Sequence, residues 1–382
     1  MGQPIPKKIN SKEPTFNTLL VDGSNILELS SLGDKTVSSS GKQIGGIFQF
    51  LLQLKLMLRR GNFRYVYVFW DGDNSGALRW GIYPMYKNNR DKSYEDIGLS
   101  DYMTEVNKKV KSMQQYFFKK KDPEKIAQRK KEKDIFYWQR EVIIKCLEEL
   151  YVRQCVCEYT EADDFIGYYI AHKKPNEKIV IMSNDMDLSQ LISDDVIMYV
   201  QSKKEFLNIK NHKKFMGYDY RNVALKKIIC GDSSDCIKGI KGVGEKTLLT
   251  NFKELTEREV NLEEIIEGAR MINENRITEG KKPLKWAENI VHRVTDGCQG
   301  DKIYEINRKI IDLKHPLMTK ESEELLESMM YAPFDDEDRT MENLYKIILE
   351  NDIDPLKDTT TFGNFFEEFV YLIHKEKNNK KF

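Results

Sequence analysis

Three apolar runs of this chain, each as long as a buried strand, end in aspartate. TLLVD ends at Asp22, YVYVFWD at Asp71 and IVIMSND at Asp185, with Asp187 two residues later. Apolar residues at helical spacing lie between them, so the order strand, helix, strand, helix, strand predicts a parallel α/β sheet. Such a sheet binds its ligand beyond the carboxyl ends of its strands. Asp before Gly is also ordinary turn chemistry, but three successive cases favour a site.

Two more acidic groups follow in the sequence. In EYTEADDF we expect Thr160 to cap a helix with Asp163 at the capping-box position. Capping alone does not explain three acids in one helix start, because like charges repel there. A further pair follows the run IIC, where a helix is expected to end. The acidic candidates are Asp22, Asp71, Glu161, Asp163, Asp164, Asp185, Asp187, Asp232 and Asp235.

Nine carboxylates in one pocket need positive charge, because gathering like charges away from water costs several kcal/mol for each uncompensated ion. We therefore predict bound cations. Oxygen ligands without nearby histidine or cysteine favour Mg²⁺ or Mn²⁺. One Mg²⁺ commonly takes one or two carboxylates, so two ions are expected, an arrangement that hydrolyses phosphodiesters.

Basic and aromatic residues alternate after the second strand, in RWGIYPMYKNNRDKSY at 79–94. Basic groups meet phosphates and rings stack on bases, which suits an end or single strand of nucleic acid, although a charged surface loop is the alternative. The residues concerned are Arg79, Tyr83, Tyr86, Lys87, Arg90, Lys92 and Tyr94.

Positive charge is segregated in the next segment. Lys plus Arg and Asp plus Glu number 61 each in the whole chain, but residues 106–140 contain 12 basic against 4 acidic side chains. A solvated helical face is the usual explanation of such a run. The accompanying rings favour an electrostatic funnel for a nucleic-acid strand; they are Tyr116, Phe117, Phe118, Phe136, Tyr137 and Trp138.

The stretch GIKGVGEKT at 239–247 is similar to the sequence motif of a phosphate-binding P-loop. Glu245 separates the last glycine from the lysine and no strand precedes the stretch, so a P-loop is disfavoured. We instead expect a hairpin between two helices that lets backbone amides and lysines contact a DNA phosphate. Its candidate contacts are Gly239, Lys241, Gly242, Gly244, Lys246 and Thr247.

Six blocks in this order, VDGSN, WDG, YPMYKNNR, EYTEADD, SNDMDL and GDSSDCIKGIKGVGEKT, resemble the flap endonuclease (5′-nuclease) superfamily over residues 18 to about 252. The subgroup that looks nearest is the bacteriophage ribonuclease H-type 5′-to-3′ exonucleases, which remove RNA primers and flaps in replication. Residues 255–300 have no counterpart in that family; they elongate helices or bind a partner.

The resemblance implies a role for each candidate. Asp22, Asp71, Glu161 and Asp163 match the first, catalytic metal, and Asp164, Asp185, Asp187, Asp232 and Asp235 match the second metal's group. Lys87 matches a lysine that steadies the scissile phosphate, Tyr86 a ring that stacks on the terminal base, and Arg90 a residue at the foot of a helical arch. Two Mg²⁺ or Mn²⁺ are implied, with K⁺ as a further ion at the hairpin.

The implied fold is α/β, with a central mostly parallel sheet covered by helices on both faces, a helical arch insertion and a helical C-terminal domain containing a helix-three-turn-helix. We expect a flexible tail at 1–14, a nuclease domain at 15–220 with its arch at about 88–140, and a helical DNA-binding domain at 221–382 with the helix-three-turn-helix at about 228–252.

The expected activity is two-metal-dependent hydrolysis at 5′ ends or flaps of DNA and RNA–DNA hybrids. The alternatives are a catalytically silent DNA-junction binding protein of the same fold and a PIN-like single-strand ribonuclease. We expect a monomer in the cytoplasm of a bacterium, an infected one if the chain is phage-encoded, with no membrane contact. A single-strand binding protein or clamp of replication is a candidate partner.

Overall fold

A six-stranded sheet lies at the centre of the computed structural model, which describes residues 16–61, 63–88, 123–334 and 339–379. Its strands follow the order β3-β2-β1-β4-β5-β6. The first five pair in parallel, and β6 runs antiparallel to β5. The strands are β1 (Thr18–Asp22), β2 (Tyr65–Phe69), β3 (Arg153–Cys155), β4 (Ile179–Ser183), β5 (Val196–Val200) and β6 (Glu205–Leu207). The predicted mostly parallel sheet is confirmed.

Both faces of this sheet are covered. On β1, Leu19 and Val21 belong to one apolar core while Leu20 belongs to another, because successive side chains of a strand point to opposite faces. All residues of β1 and β4 are therefore buried, which explains their unbroken apolar sequence. The helices of this region are α1 (Gly23–Gly33), α2 (Gly45–Leu58), α3 (Ala77–Ile82), α4 (Pro123–Glu149), α5 (Ala162–Ala171) and α6 (His212–Met216).

A second, mainly helical region has its own apolar core. A two-residue antiparallel ladder, β7 (Gly231–Asp232) with β8 (Ile237–Lys238), follows its first helix. Helix α3 packs on this core through Ala77 and Trp80, and Tyr83 directly after the helix packs there too, so the region adjoins the carboxyl edge of the sheet. Its helices are α7 (Val223–Cys230), α8 (Glu245–Asn251), α9 (Leu262–Thr278), α10 (Lys285–Val291) and α11 (Ile303–Ile311).

The last three helices do not extend this second core. Leu326 of α12 (Lys320–Met329) joins the core on one face of the sheet. Helices α13 (Met341–Glu350) and α14 (Thr359–Asn379) join the core on the other face, where Phe366 and Phe369 are fully buried. The predicted unit 221–382 therefore contains a separate core only up to about residue 311, and its remainder packs against the α/β region. No helix within the described ranges is both long and apolar enough to cross a membrane.

Candidate active site

Asp22 lies at the centre of the carboxyl edge of the sheet. It is the last residue of β1 and caps α1, where its Oδ1 accepts a hydrogen bond from the Asn25 amide at 3.1 Å. Its Oδ2 accepts a second bond from the Ser183 hydroxyl at the end of β4, at 2.8 Å. The carboxylate is only 4% exposed. Both neighbours thus fix a buried carboxylate where two parallel strands end.

Asp71 connects the edge of β2 to the start of α5. Its Oδ1 accepts from the amide of Ala162, the first residue of α5, at 2.9 Å. The helix therefore begins one residue later than predicted, with Glu161 as its N-cap residue, and the expectation of a Thr160 cap is wrong. The Thr160 hydroxyl is buried and has no hydrogen-bond partner among the residues that the structure describes. A carboxylate distant in sequence supplies the cap.

Four carboxylates form an uncompensated group: Asp22, Asp71, Asp163 and Asp185. None of them forms an ion pair with a side chain that the structure describes. Burial, followed by the charge of Asp71, raises the pKa of Asp22 to about 7, against the hydrogen bonds that it accepts. Burial, followed by the charges of Asp185 and Asp22, raises the pKa of Asp163 well above its usual range. Lys87 opposes the rise in the pKa of Asp163, but it is paired with Glu161 and with none of these four carboxylates.

Glu161, in contrast, is held by cations and a phenol. Lys87 Nζ lies 2.7 Å from Oε1, while Arg79 Nη1 lies 3.1 Å from Oε2. The Tyr86 hydroxyl donates to Oε2 at 2.9 Å. Burial raises the pKa of Glu161, but Lys87 and Arg79 outweigh it and lower the pKa to about 2. The Tyr86 ring is 3% exposed, so neither of its faces is open to a base in this arrangement.

Arg79 is buried between the sheet edge and the helical region. Its two terminal nitrogens donate to both oxygens of Asp164 at 2.6 and 2.9 Å, and Nε donates to the Ile310 carbonyl at 3.0 Å. Asp164 is completely buried and also accepts from the Leu317 amide. Burial lowers the pKa of Arg79, but Asp164 and Glu161 hold it well above its usual value. We expected Arg79 to contact nucleic acid, but its side chain is only 4% exposed and is engaged inside the protein. Asp164 faces Arg79 and not the other acids.

Lys227 of α7 joins Asp187 and Asp232. Its ammonium contacts Asp187 Oδ1 and lies 2.5 Å from Asp232 Oδ2. Burial, followed by the charge of Asp185, raises the pKa of Asp187 to about 6 although Lys227 opposes it. Burial of Asp232 is outweighed by Lys227, which lowers the pKa of Asp232 to about 2. The Asp235 carbonyl accepts from the Lys87 amide at 2.8 Å, so this loop also lies beside Lys87.

These contacts correct the charge argument from the sequence. Four of the nine acids, namely Glu161, Asp164, Asp187 and Asp232, are paired with protein cations, so not all nine demand metal. Within the described ranges, no three His, Cys, Asp or Glu side chains are grouped so that they could hold a metal ion as they stand. The donors are nevertheless all carboxylate oxygens, which suit a hard divalent cation. In its donor chemistry, the negative charge around the buried Asp22 fits such an ion.

The glycine hairpin lies between α7 and α8, as predicted. Gly242 has a φ of +75°, which favours glycine, whereas Gly239 is required by packing, since a Cβ there would lie 2.3 Å from the Cys230 carbonyl oxygen. Gly244 caps α8, and Thr247 lies in the first turn of that helix. Lys241 and Lys246 are exposed, and Lys241 pairs with Asp296 at 2.8 Å. Both lysines are therefore accessible from solvent.

The segment without a family counterpart supports this hairpin. The Asn289 amide donates to the Lys241 carbonyl at 2.8 Å, and the Thr295 hydroxyl donates to the Gly239 carbonyl at 2.9 Å. Gln299 donates to the Lys238 carbonyl at 3.0 Å. Of the two roles considered from sequence, these bonds favour a structural one.

Part of the expected nucleic-acid surface lies outside the described residues, including Arg90, Lys92 and most of the arch. Among the rings of the basic run, Phe136 and Trp138 of α4 pack against the core beside the sheet. This packing gives both rings a role in folding. Tyr137 contacts Arg140, whose Nη1 donates to the Asp71 carbonyl at 3.0 Å.

Known proteins share this sequence and fold. Residues 102–217 match the family model of the 5'-3' exonuclease N-terminal resolvase-like domain. A 5'-3' exonuclease of Mycoplasmopsis pulmonis is 31% identical over 172 residues, 43% of this chain and 57% of the relative. One of Halalkalibacterium halodurans is 27% identical over 246 residues, 60% of this chain and 67% of the relative. The match thus spans little more than half of the first relative.

Among solved structures, the flap endonuclease of bacteriophage T5, in a complex with DNA and metal ions, superimposes with a TM-score of 0.52 at 16% identity. The match covers 88% of this chain and 100% of that one, and it shows a shared fold. The resemblance inferred from the six sequence blocks is therefore confirmed. The chain is similar in sequence to 5′-3′ exonucleases and shares the fold of the bacteriophage T5 flap endonuclease.

Proposed function

We propose that this chain is a Mg²⁺-dependent nuclease that hydrolyses phosphodiesters at 5′ ends or 5′ flaps of DNA and of RNA paired to DNA. The observation that carries the proposal is the uncompensated group at the sheet edge, Asp22, Asp71, Asp163 and Asp185, beside the cation Lys87. A purely structural edge has no reason to retain the buried Asp22 without a paired cation, because its ionisation opposes folding. The raised pKa values of Asp22 and Asp163 are of the kind found at functional sites.

We assign Asp22, Asp71, Asp163 and Asp185 to one divalent cation, and Asp187, Asp232 and Asp235 to a second. Mg²⁺ or Mn²⁺ bound there would activate a water and neutralise phosphate charge. Asp164 is left out of this set because Arg79 engages both of its oxygens. Glu161 is given a different task from the one expected: its carboxylate holds Lys87 and Tyr86 in place.

Lys87 is the residue that we expect to contact the scissile phosphate. Its side chain is 14% exposed at the rim of the acidic edge, and its backbone has a φ of +50°, an uncommon conformation for a residue with a side chain. The Glu161 carboxylate and the Asp235 carbonyl fix its side chain and backbone. A cation fixed beforehand stabilises developing phosphate charge without reorganisation during the reaction. The buried ring of Tyr86 orients Glu161 in this proposal and does not stack on a base.

The hairpin would hold the duplex next to this edge. Lys241 and Lys246 are exposed for phosphate contacts, and these contacts read the backbone without reading sequence. Backbone carbonyls of the hairpin remain candidate ligands for K⁺. Several of them already accept hydrogen bonds from Asn289, Thr295 and Gln299. In this view the chain removes RNA primers during replication in the bacterial cytoplasm as a monomer, with a single-strand binding protein or clamp as partner.

Cleavage of a 5′-flapped duplex labelled separately at each end tests the proposal. Wild type should release products from the 5′ side only with Mg²⁺, and Asp185→Asn should bind the duplex but cut it at least about 100-fold more slowly. Asp195→Asn is the matched control, because Asp195 pairs with Lys178 and Lys173 away from the carboxyl edge and its loss should leave cleavage unchanged.

The two alternatives predict other outcomes. A silent junction-binding protein would bind the flapped duplex and cut nothing at any Mg²⁺ concentration. A PIN-like ribonuclease would cut free single-stranded RNA as well as it cuts the flap. Either result would overturn the proposed activity while leaving the fold unchanged.

A further inference from the structure

Lys227 has a position that the proposed chemistry does not explain. Its ammonium lies between carboxylates from two parts of the fold, Asp187 in the turn after β4 and Asp232 in β7. These two residues belong to the set assigned above to the second cation. The Lys227 side chain is 17% exposed, and the two carboxylates are 24% and 10% exposed, so the contact is largely shielded from water.

We propose that the Lys227 ammonium acts as an internal substitute for the second divalent cation and must leave the two carboxylates when that cation binds. The inference rests on the proposed function. An ammonium at hydrogen-bond distance from both carboxylates occupies the space that a cation bridging them needs, and its positive charge would repel that cation. The same contact compensates the acids while no metal is present, which would otherwise leave buried charge unpaired.

The arrangement differs between the two halves of the site. At Asp22, Asp71, Asp163 and Asp185 no described cation is paired with a carboxylate; Lys87 acts on Asp163 but is paired with Glu161, so a divalent ion need not displace it. At Asp187 and Asp232 the ion must first displace Lys227. The first site should therefore fill at lower metal concentration than the second, and Lys227 should set the difference.

Titration of Mn²⁺ into DNA-free protein, followed by the EPR signal of free Mn²⁺ and by calorimetry, tests the proposal. Lys227→Met keeps the length of the aliphatic chain and removes the competing charge, so the weaker Mn²⁺ site should bind about tenfold more tightly than in wild type. Lys226→Met is the matched control: Lys226 is the preceding residue of α7 but pairs with Glu245 at 2.8 Å, and its loss should leave both affinities unchanged.

The melting temperature, measured with and without Mn²⁺, is a second readout that still tests the proposal if the variant folds poorly. Without metal, Lys227→Met should melt at a lower temperature than wild type, and Mn²⁺ should raise its melting temperature by more than it raises that of wild type. Lys227→Gln, which keeps a polar group without charge, should behave in the same direction.

The outcomes separate this inference from the proposed function. Unchanged or weaker Mn²⁺ binding by both Lys227 variants, together with Mg²⁺-dependent flap cleavage by wild type, would overturn the role of Lys227 alone. Absence of Mn²⁺ binding by wild type and variants alike would overturn both. Binding of a second Mn²⁺ only after Lys227 is replaced would support the inference in its strongest form.

Discussion

Neutralising Asp22 should stabilise the metal-free protein, whereas neutralising Glu161 should destabilise it. The two carboxylates are both buried at the same edge of the sheet, but their surroundings are opposite. Asp22 faces other acids, which with burial raise its pKa, and Glu161 faces Lys87 and Arg79, which lower its pKa. The opposite signs make the pair of substitutions a strict test of the electrostatics described above.

The magnitudes follow from linkage between protonation and folding. For Asp22, a pKa raised from the usual 3.8 to about 7 costs the folded state ~4 kcal/mol at pH 8, at about 1.4 kcal/mol for each pKa unit. This cost appears as pH rises from the unfolded value towards 7 and falls to ~2 kcal/mol at pH 5. For Glu161, a pKa lowered from 4.5 to about 2 contributes ~3 kcal/mol that is present above pH 4.5 and is lost as pH falls towards 2.

Urea unfolding in EDTA, followed by circular dichroism at pH 8 and pH 5, measures both effects. Asp22→Asn should gain up to ~4 kcal/mol at pH 8 and a smaller amount at pH 5, since Asn keeps an acceptor for the Asn25 amide and the Ser183 hydroxyl can turn to accept its amide. Glu161→Gln should lose ~3 kcal/mol at either pH. A destabilised Asp22→Asn protein or a stabilised Glu161→Gln protein at pH 8 would refute the charge assignment.

Two further substitutions test packing around the site. Arg79→Lys should lower the free energy of unfolding by ~3 kcal/mol, because lysine cannot engage both oxygens of Asp164 and the Ile310 carbonyl together. Urea unfolding measures the loss, with the exposed Arg258→Lys as control. Equal losses in the two variants would contradict the reasoning. Gly72→Ala should lower the free energy of unfolding by ~3 kcal/mol and with it the melting temperature, since a Cβ there would lie 1.7 Å from the Cys157 carbonyl oxygen. Gly33→Ala, with nothing within 4 Å, should be close to neutral, and a similar effect of both alanines would argue against the clash.

Much of the sheet edge could be predicted because its signal is local. Parallel strands present their carboxyl ends on one edge, so apolar runs that end at Asp22, Asp71 and Asp185 place their acids without knowledge of any contact. The helix after Thr160 was predicted to start one residue early because its cap comes from Asp71, 91 residues away in sequence. Local propensity cannot register such a partner.

The counter-charges of the site could not be predicted for the same reason. In the sequence, Arg79 looks like one of several basic residues expected to contact nucleic acid. Only the tertiary structure places it against Asp164, 85 residues later. Lys227 lies five residues before Asp232, but its contact with Asp187 spans 40 residues and two regions of the fold. Counting nine acids as nine unpaired charges therefore overestimated the positive charge that metal must supply.

Contacts of Arg79 and Lys87 also link the proposed catalytic edge to the region proposed to hold the duplex. Arg79 reaches from Asp164 to the Ile310 carbonyl of α11, and the Lys87 amide donates to the Asp235 carbonyl in the loop between β7 and β8. That loop leads directly into the hairpin at Gly239. If the hairpin holds a duplex as proposed, its distance from the acids at Asp22 is set by these short contacts and not by a free linker. We expect the proposed cut to fall at a fixed number of nucleotides from the held duplex, and Arg79→Lys to spread the cut over neighbouring positions; an unchanged product pattern from a folded, active variant would contradict this coupling.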